Sequence, residues 1–309
     1  PGPRTALLDV ARPLPDLFTA LDHALFPPAP LSLDAACART PRALVEWLPS
    51  APTGFTPCEF WDSMVNMAIA VVAETVLMIA AFMAWRVASA RFARLPYHKQ
   101  WYVVGNVAKS ACLATIMLSP CWWPIMYHGY YRHEWEIFPM ATYVLKRSVV
   151  LYVVSDVTTL YLVPKMPTTT VVHHVLSAVF CTCIFFFDGR MVDSVTIMIG
   201  LYGAWSALAW PVNFFLAMRV VYPDQRWVAV LARVALLVYV CVCACNWTWH
   251  ALWYASHVWR GTVTLFQTAY VALLPLIIRD DIVLMRWLWS YEPSAAAARY
   301  LAKRDDKRP

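Results

Sequence analysis

The residues of this chain best suited to chemistry are Asp156 and the adjacent pair His173 and His174. The acid precedes the imidazoles by 17 positions, and between them runs a short turn bounded by Pro164 and Pro167. In such a set the carboxylate fixes the tautomer of an imidazole. The imidazole then serves as a general base, or as a transient acyl acceptor in transfer from a thioester. The same three residues also suit a plainer role, a polar contact that locks one helix to the next. The residue types leave both open.

What raises these residues above ordinary surface polars is where they sit. Both flanking stretches are strongly apolar, and ionisable groups inside apolar spans mark functional sites by default. Ser155 stands beside the acid. Other polar groups interrupt apolar runs elsewhere. Glu74 is central in its run, Lys109 is central in the next, and Lys146 and Arg147 enter the one that carries Asp156. Asn213 lies late in a long fifth run, in register with Tyr202 and Ser206. Glu74 and Lys109 fall at similar depth in consecutive runs, which predicts an ion pair. These groups together outline a polar-lined cavity. The plainer alternatives are snorkelling of long cations to the interface and hydrogen bonds that glue helices together.

The elements that must position these groups are helices in a membrane. Hydrophobic residues make up 61% of the 309 and charged residues only 14%, against roughly 25% charged in soluble domains. Mean hydropathy is +0.52. Several runs approach the roughly 20 residues that a helix needs to cross the hydrocarbon core, and no series of short alternating segments suggests a barrel. The fold class expected is an all-α, multi-pass membrane protein with seven transmembrane helices, near 63–85, 101–119, 137–163, 169–187, 191–218, 227–249 and 262–278. Gly200, Gly203 and Pro211 are the expected bend points of the long fifth. Residues 1–60 form a Pro-rich extramembrane arm that cannot build its own core. Residues 61–290 form the membrane domain, and 291–309 a basic tail.

Charge sets the orientation. The loops after the first, third and fifth runs carry Arg86, Arg91, Arg94, Lys99, Lys165, Arg219 and Arg226, against Arg132, Arg190 and Arg260 in the others. The excess puts the C-terminus, and the acid with its imidazoles, on the cytosolic, matrix or stromal side. The net charge of +6 suits anionic head groups, and no basic module for nucleic acid is visible.

Two further constellations carry less. Cys241, Cys243 and Cys245 spread around more than half of a helix and do not converge on one metal, so no metal is expected. His250 and His257, two turns apart among tryptophans, suit an interfacial aromatic belt better than haem ligation. Cys37 and Cys58 could pair in an oxidising compartment, which spacing alone does not decide.

The ordered set of an acid after an aromatic-rich apolar run, then a His-His pair opening the next span, resembles the TLC-domain family, which includes the ceramide synthases. Asp156, His173 and His174 match that motif, and WPVNFF matches a later family stretch through Pro211 and Asn213. The resemblance covers about 97–289. It implies a ring of six helices, in two sets of three, around a lipid-sized tunnel, with 63–85 as an extra helix in front. Two departures bear on activity. Ala204, Ser206 and Ala207 stand where such members carry a Glu, and the ceramide-synthase signature of His-Asp, Ser-Asp, Glu and Lys elements is missing after His174.

The resulting expectation is a non-catalytic, lipid-binding accessory subunit of a larger membrane complex. Its partners are membrane lipids and other membrane subunits, and a bound phospholipid takes the place of a cofactor. The alternative is a lipid acyltransferase of ceramide-synthase type using His173, His174 and Asp156. A transporter relaying charge through Glu74, Lys109 and Asp156 is a third reading, against which stands the lack of paired broken helices. A start at Pro1 fits removal of a targeting segment and equally a chain beginning further upstream. On the first basis the expected location is an organelle inner membrane, mitochondrial, with the endoplasmic reticulum as alternative. An enzyme predicts imidazoles facing an open tunnel within reach of Asp156. A structural role predicts imidazoles packed away.

Overall fold

The computed structural model describes residues 57–119, 139–186 and 195–291, with side chains described at 61, 63–119, 148–184 and 198–291. Most of the expected arm (with Cys37), the side chain of Cys58, the tail, and the side chains of Lys146 and Arg147 lie outside these residues. All regular structure among the described residues is helical: α1 (Pro57–Ala88), α2 (Ala90–Ala93), α3 (Tyr97–Leu118), α4 (Pro139–Leu162), α5 (Thr168–Phe186), α6 (Val195–Ala207), α7 (Trp210–Val221), α8 (Arg226–Arg260) and α9 (Leu265–Trp289). Three stretches are long and apolar enough to cross a membrane, Ser63–Ala88, Tyr97–Leu118 and Arg226–Arg260. The pair α6 and α7, bent by 47°, makes a fourth if it counts as one span.

Local chemistry explains the boundaries. Pro96 and Pro167 disfavour continuation of a helix through them, and the chain turns there and restarts as α3 and α5. The fifth run breaks over Leu208 and Ala209, just ahead of Pro211, which occupies the first turn of α7 where its missing N–H costs nothing. The break thus falls at one of the three expected bend points. α8 ends at Gly261, whose φ of 67° is the left-handed cap that glycine adopts without strain. α9 opens with a capping box. Gln267 N donates to Thr264 Oγ1 at 3.2 Å, and Thr264 N donates to Gln267 Oε1 at 2.8 Å.

Each helix packs on the next around a closed circuit: α3 on α4, α4 on α5, α5 on α9, α9 on α8, α8 on α7, and α7 on α3. α1 stands outside, against α3, α4 and α5. α6 leans inward and touches α3, α4, α5, α8 and α9. Its buried Met198, Ile199, Leu201 and Tyr202 join Leu113, Val153, Phe180, Ile184 and Ile277 in one apolar core, which fills that end of the circuit. A second core, with Val103, Phe215, Val221 and Ala235, joins α3, α7 and α8.

Two devices fix the end where α3 begins. The Gln100 amide donates to the carbonyls of Phe92, Ala93 and Leu95 at 3.2, 3.1 and 2.9 Å, which ties down the turn after α1. Arg91 forks onto Asp224, with Nη1 at 2.7 Å and Nη2 at 3.2 Å, and so clamps α2 to the turn between α7 and α8.

α3 and α4 cross closely at Gly105. A Cβ there would lie 2.8 Å from Thr159 Cγ2 and 3.5 Å from Val163 Cγ2. Both neighbours are β-branched and stiff. Gly105→Ala is therefore expected to lower stability by about 1–3 kcal/mol through overpacking, read as the unfolding midpoint in detergent. An unchanged midpoint would mean that the two helices have room to part.

Candidate functional site

Opposite the end filled by α6, the circuit encloses a cavity of about 410 Å³, within the range of roughly 300–1,000 Å³ typical of small-molecule sites. It lies where α3 and α5 begin and α4 and α9 end, and Met166 and Pro167 of the α4–α5 turn form part of its rim. That is also the side carrying Arg91, Arg94, Lys99 and Lys165.

Asp156 anchors its wall. The residue is 1% exposed. Its Oδ2 lies 2.8 Å from Lys109 Nζ, and its Oδ1 lies 2.6 Å from His174 Nδ1. One carboxylate on α4 thus joins a cation from α3 and an imidazole from α5. Lys109 Nζ also donates to the Tyr152 carbonyl at 2.6 Å and sits 4.0 Å from the centre of the Tyr152 ring. With a proton on Nδ1 facing Asp156, the lone pair of His174 falls on Nε2, the tautomer that a general base requires.

A second acid and imidazole stand beside the first, the His173 ring centred 5.9 Å from that of His174. His173 Nδ1 is 3.5 Å from Asp280 Oδ2. Next to it, Asp281 is 4% exposed and accepts hydrogen bonds from Tyr239 at 2.7 Å and Tyr202 at 2.9 Å. Tyr152 and Tyr202 form the inner floor, since both also line a narrow apolar void of about 30 Å³ beyond it.

Of the residues singled out in the sequence, Lys109, Ser155, Asp156, His173, His174 and Asn213 all line this cavity. Glu74 does not. It is 8% exposed, and neither of its carboxylate oxygens has a hydrogen-bond partner among the described residues. The expected pair of Glu74 with Lys109 is not formed, because the ammonium is taken by Asp156, which also gains from His174. Glu74→Gln is therefore expected to cost less than about 1 kcal/mol in detergent unfolding. The paired reading would require the 3–5 kcal/mol (roughly) that breaking a buried ion pair costs.

The imidazoles are partly open, His173 at 18% and His174 at 16% exposure, with their Nδ1 atoms buried. Both line the open cavity. His250 and His257 differ from expectation. They are 3% exposed each, not interfacial. His250 Nδ1 lies 2.8 Å from the Asn246 carbonyl and Nε2 lies 3.0 Å from the Met198 carbonyl, while His257 Nδ1 faces the Trp253 carbonyl at 2.9 Å. Of the three clustered cysteines, Cys243 is buried and Cys241 and Cys245 face outward.

Asp280, Asp281, Tyr239, Tyr102, Arg219 and Trp287 were not singled out by sequence reasoning, yet all line the cavity. A signal for Asp281 was present. Gln267, Tyr270, Leu274, Ile277, Asp281 and Leu288 are the buried residues of α9, a stripe at helical spacing that runs straight through the charged RDD segment.

Comparison with protein-family models, characterised proteins and solved structures gives no match for this chain.

Proposed function

We propose that the chain is a TLC-like integral membrane protein that holds a lipid in a helix-ringed cavity and acts as an accessory subunit of a larger membrane assembly. In this reading α1, α3, α4, α5, the bent pair α6–α7, α8 and α9 make seven crossings. Six of them form the ring, and α1 is the extra helix in front. The observation that carries the reading is the cavity itself, about 410 Å³, whose wall sets Lys109, Asp156, His173 and His174 beside apolar side chains such as Val163, Leu216 and Val242. Asp156, Lys109 and His174 serve here as the tie that holds α3, α4 and α5 together at the mouth. The 16 tryptophans of the chain offer broad surfaces to lipids and to neighbouring subunits. An organelle inner membrane is the proposed location, with the endoplasmic reticulum as alternative.

One observation favours a second reading, acyl transfer. His174 is oriented by a carboxylate at 2.6 Å and faces an open cavity, the arrangement expected of a general base or a transient acyl acceptor.

Purification in mild detergent from native membranes, with mass spectrometry of the accompanying proteins and lipids, separates the two. The accessory reading expects stable partner subunits, bound lipid and no acyl transfer from a thioester. A lone monomer that transfers acyl groups, and loses the activity in His174→Ala, would replace it by the enzyme.

A further inference from the structure

The ions of the cavity wall are matched to one another with one exception. Lys109 and His174 share Asp156, His173 faces Asp280, and Asp281 is held by two tyrosines. Arg219, in the last turn of α7, has no carboxylate partner among the described residues.

Its guanidinium is nevertheless held in place. It stacks 4.3 Å from the centre of the Trp287 ring and 6.0 Å from that of Tyr102, and Nη2 donates to the Tyr102 hydroxyl at 3.3 Å. Nε is buried and has no hydrogen-bond partner among the described residues. An arginine that merely snorkels extends into water. This one is half-buried, folded against the cavity wall and braced by two aromatic side chains. A planar fork fixed by stacking, with N–H groups left over, is the geometry that binds tetrahedral or planar oxyanions bidentately. Asn213, earlier on α7, also lines the cavity and makes no hydrogen bond among the described residues, so its amide can supply a further donor.

We propose that Arg219, with Tyr102 and Asn213, seats the phosphate of an anionic amphiphile in the cavity. The proposal rests on the lipid-cavity reading and deepens it by naming the head group. An uncharged lipid leaves the guanidinium uncompensated in a partly dry wall. A phosphate supplies the missing counter-charge, and its acyl chain runs toward the apolar side.

The full chain, purified in detergent, is incubated with phosphatidylcholine vesicles containing either phosphatidic acid or diacylglycerol. Lipid retained after re-isolation is counted by mass spectrometry. Wild type is expected to retain phosphatidic acid at least about tenfold over diacylglycerol, and Arg219→Gln to erase that preference. Arg219→Lys, which keeps the charge and loses the fork, is expected to fall between them and guards against a folding defect in the glutamine variant. A competition with inorganic phosphate identifies the source. Displacement of phosphatidic acid by phosphate alone supports a site for the free ion as well, and no displacement supports a site for the lipid head group. Equal retention of both lipids, unchanged in Arg219→Gln and Arg219→Lys, overturns the proposal and leaves the lipid cavity standing. Retention of neither lipid overturns both.

Discussion

Replacing Asp156 by Leu is expected to cost about 3–5 kcal/mol, because it strands the Lys109 ammonium in the cavity wall with only the Tyr152 carbonyl and ring beside it. The side chains of Lys109 and Asp156 are only 12% and 1% exposed, so little water replaces the lost partner. Lys109→Met should cost a similar amount for the converse reason, although His174 remains to the acid. The double variant, Asp156→Leu with Lys109→Met, should recover most of the loss, since well-packed apolar residues often replace a buried pair at little cost. A double-mutant cycle in detergent would read this as a coupling larger than either single loss, more than about 3–5 kcal/mol. Additive losses would mean that the two residues act separately and that the three helices are not tied through the acid.

The second large effect is expected at Asp281. Its carboxylate accepts from Tyr239 on α8 and from Tyr202 on α6, so one side chain of α9 holds two other helices. Asp281→Ala leaves two hydroxyls without an acceptor and should lower stability by about 2–4 kcal/mol. Asp281→Asn keeps an acceptor oxygen and should cost about half as much. Tyr202→Phe combined with Tyr239→Phe should remove most of the penalty of the alanine change, because nothing is then left unsatisfied. If alanine and asparagine behave alike, the hydroxyls find other acceptors and α9 is held by packing alone.

Asp281 also shows how far the sequence could be read. The apolar runs were plain because burial in lipid needs length and hydropathy, which are local properties. The expected span 63–85 thus lies within Ser63–Ala88, and 101–119 lies close to Tyr97–Leu118. The end of α9 was not plain. The expected seventh span stops at 278, just before Arg279, Asp280 and Asp281, yet the helix continues to Trp289, with Arg279 exposed and Asp281 buried. A run of charge marks the end of a helix only when every member meets water, and here helical spacing carries one of the three back into the ring. His250 and His257 fell to the same error. Their tryptophan neighbours suggested an interface, while their register on α8 follows Val242, Cys243, Asn246 and Trp253 into the core. The partner of Lys109 was misassigned because depth in consecutive runs says which groups share a level, not which way a helix is rotated. Only packing placed Lys109 toward α4 and left Glu74 without a hydrogen-bond partner among the described residues.

The central claim, that the ring holds a lipid at the cavity lined by Asp156, His173 and His174, is tested most directly by filling it. Leu216 lines the cavity between Asn213 and Arg219 on α7. Wild type and Leu216→Trp, purified alike in mild detergent, should be compared by native mass spectrometry for bound lipid and by thermal unfolding for intact fold. Bound lipid is expected on the wild type and not on Leu216→Trp, with a folded protein in both cases. A wild type free of lipid, or a folded Leu216→Trp that carries as much lipid as wild type, would contradict that claim.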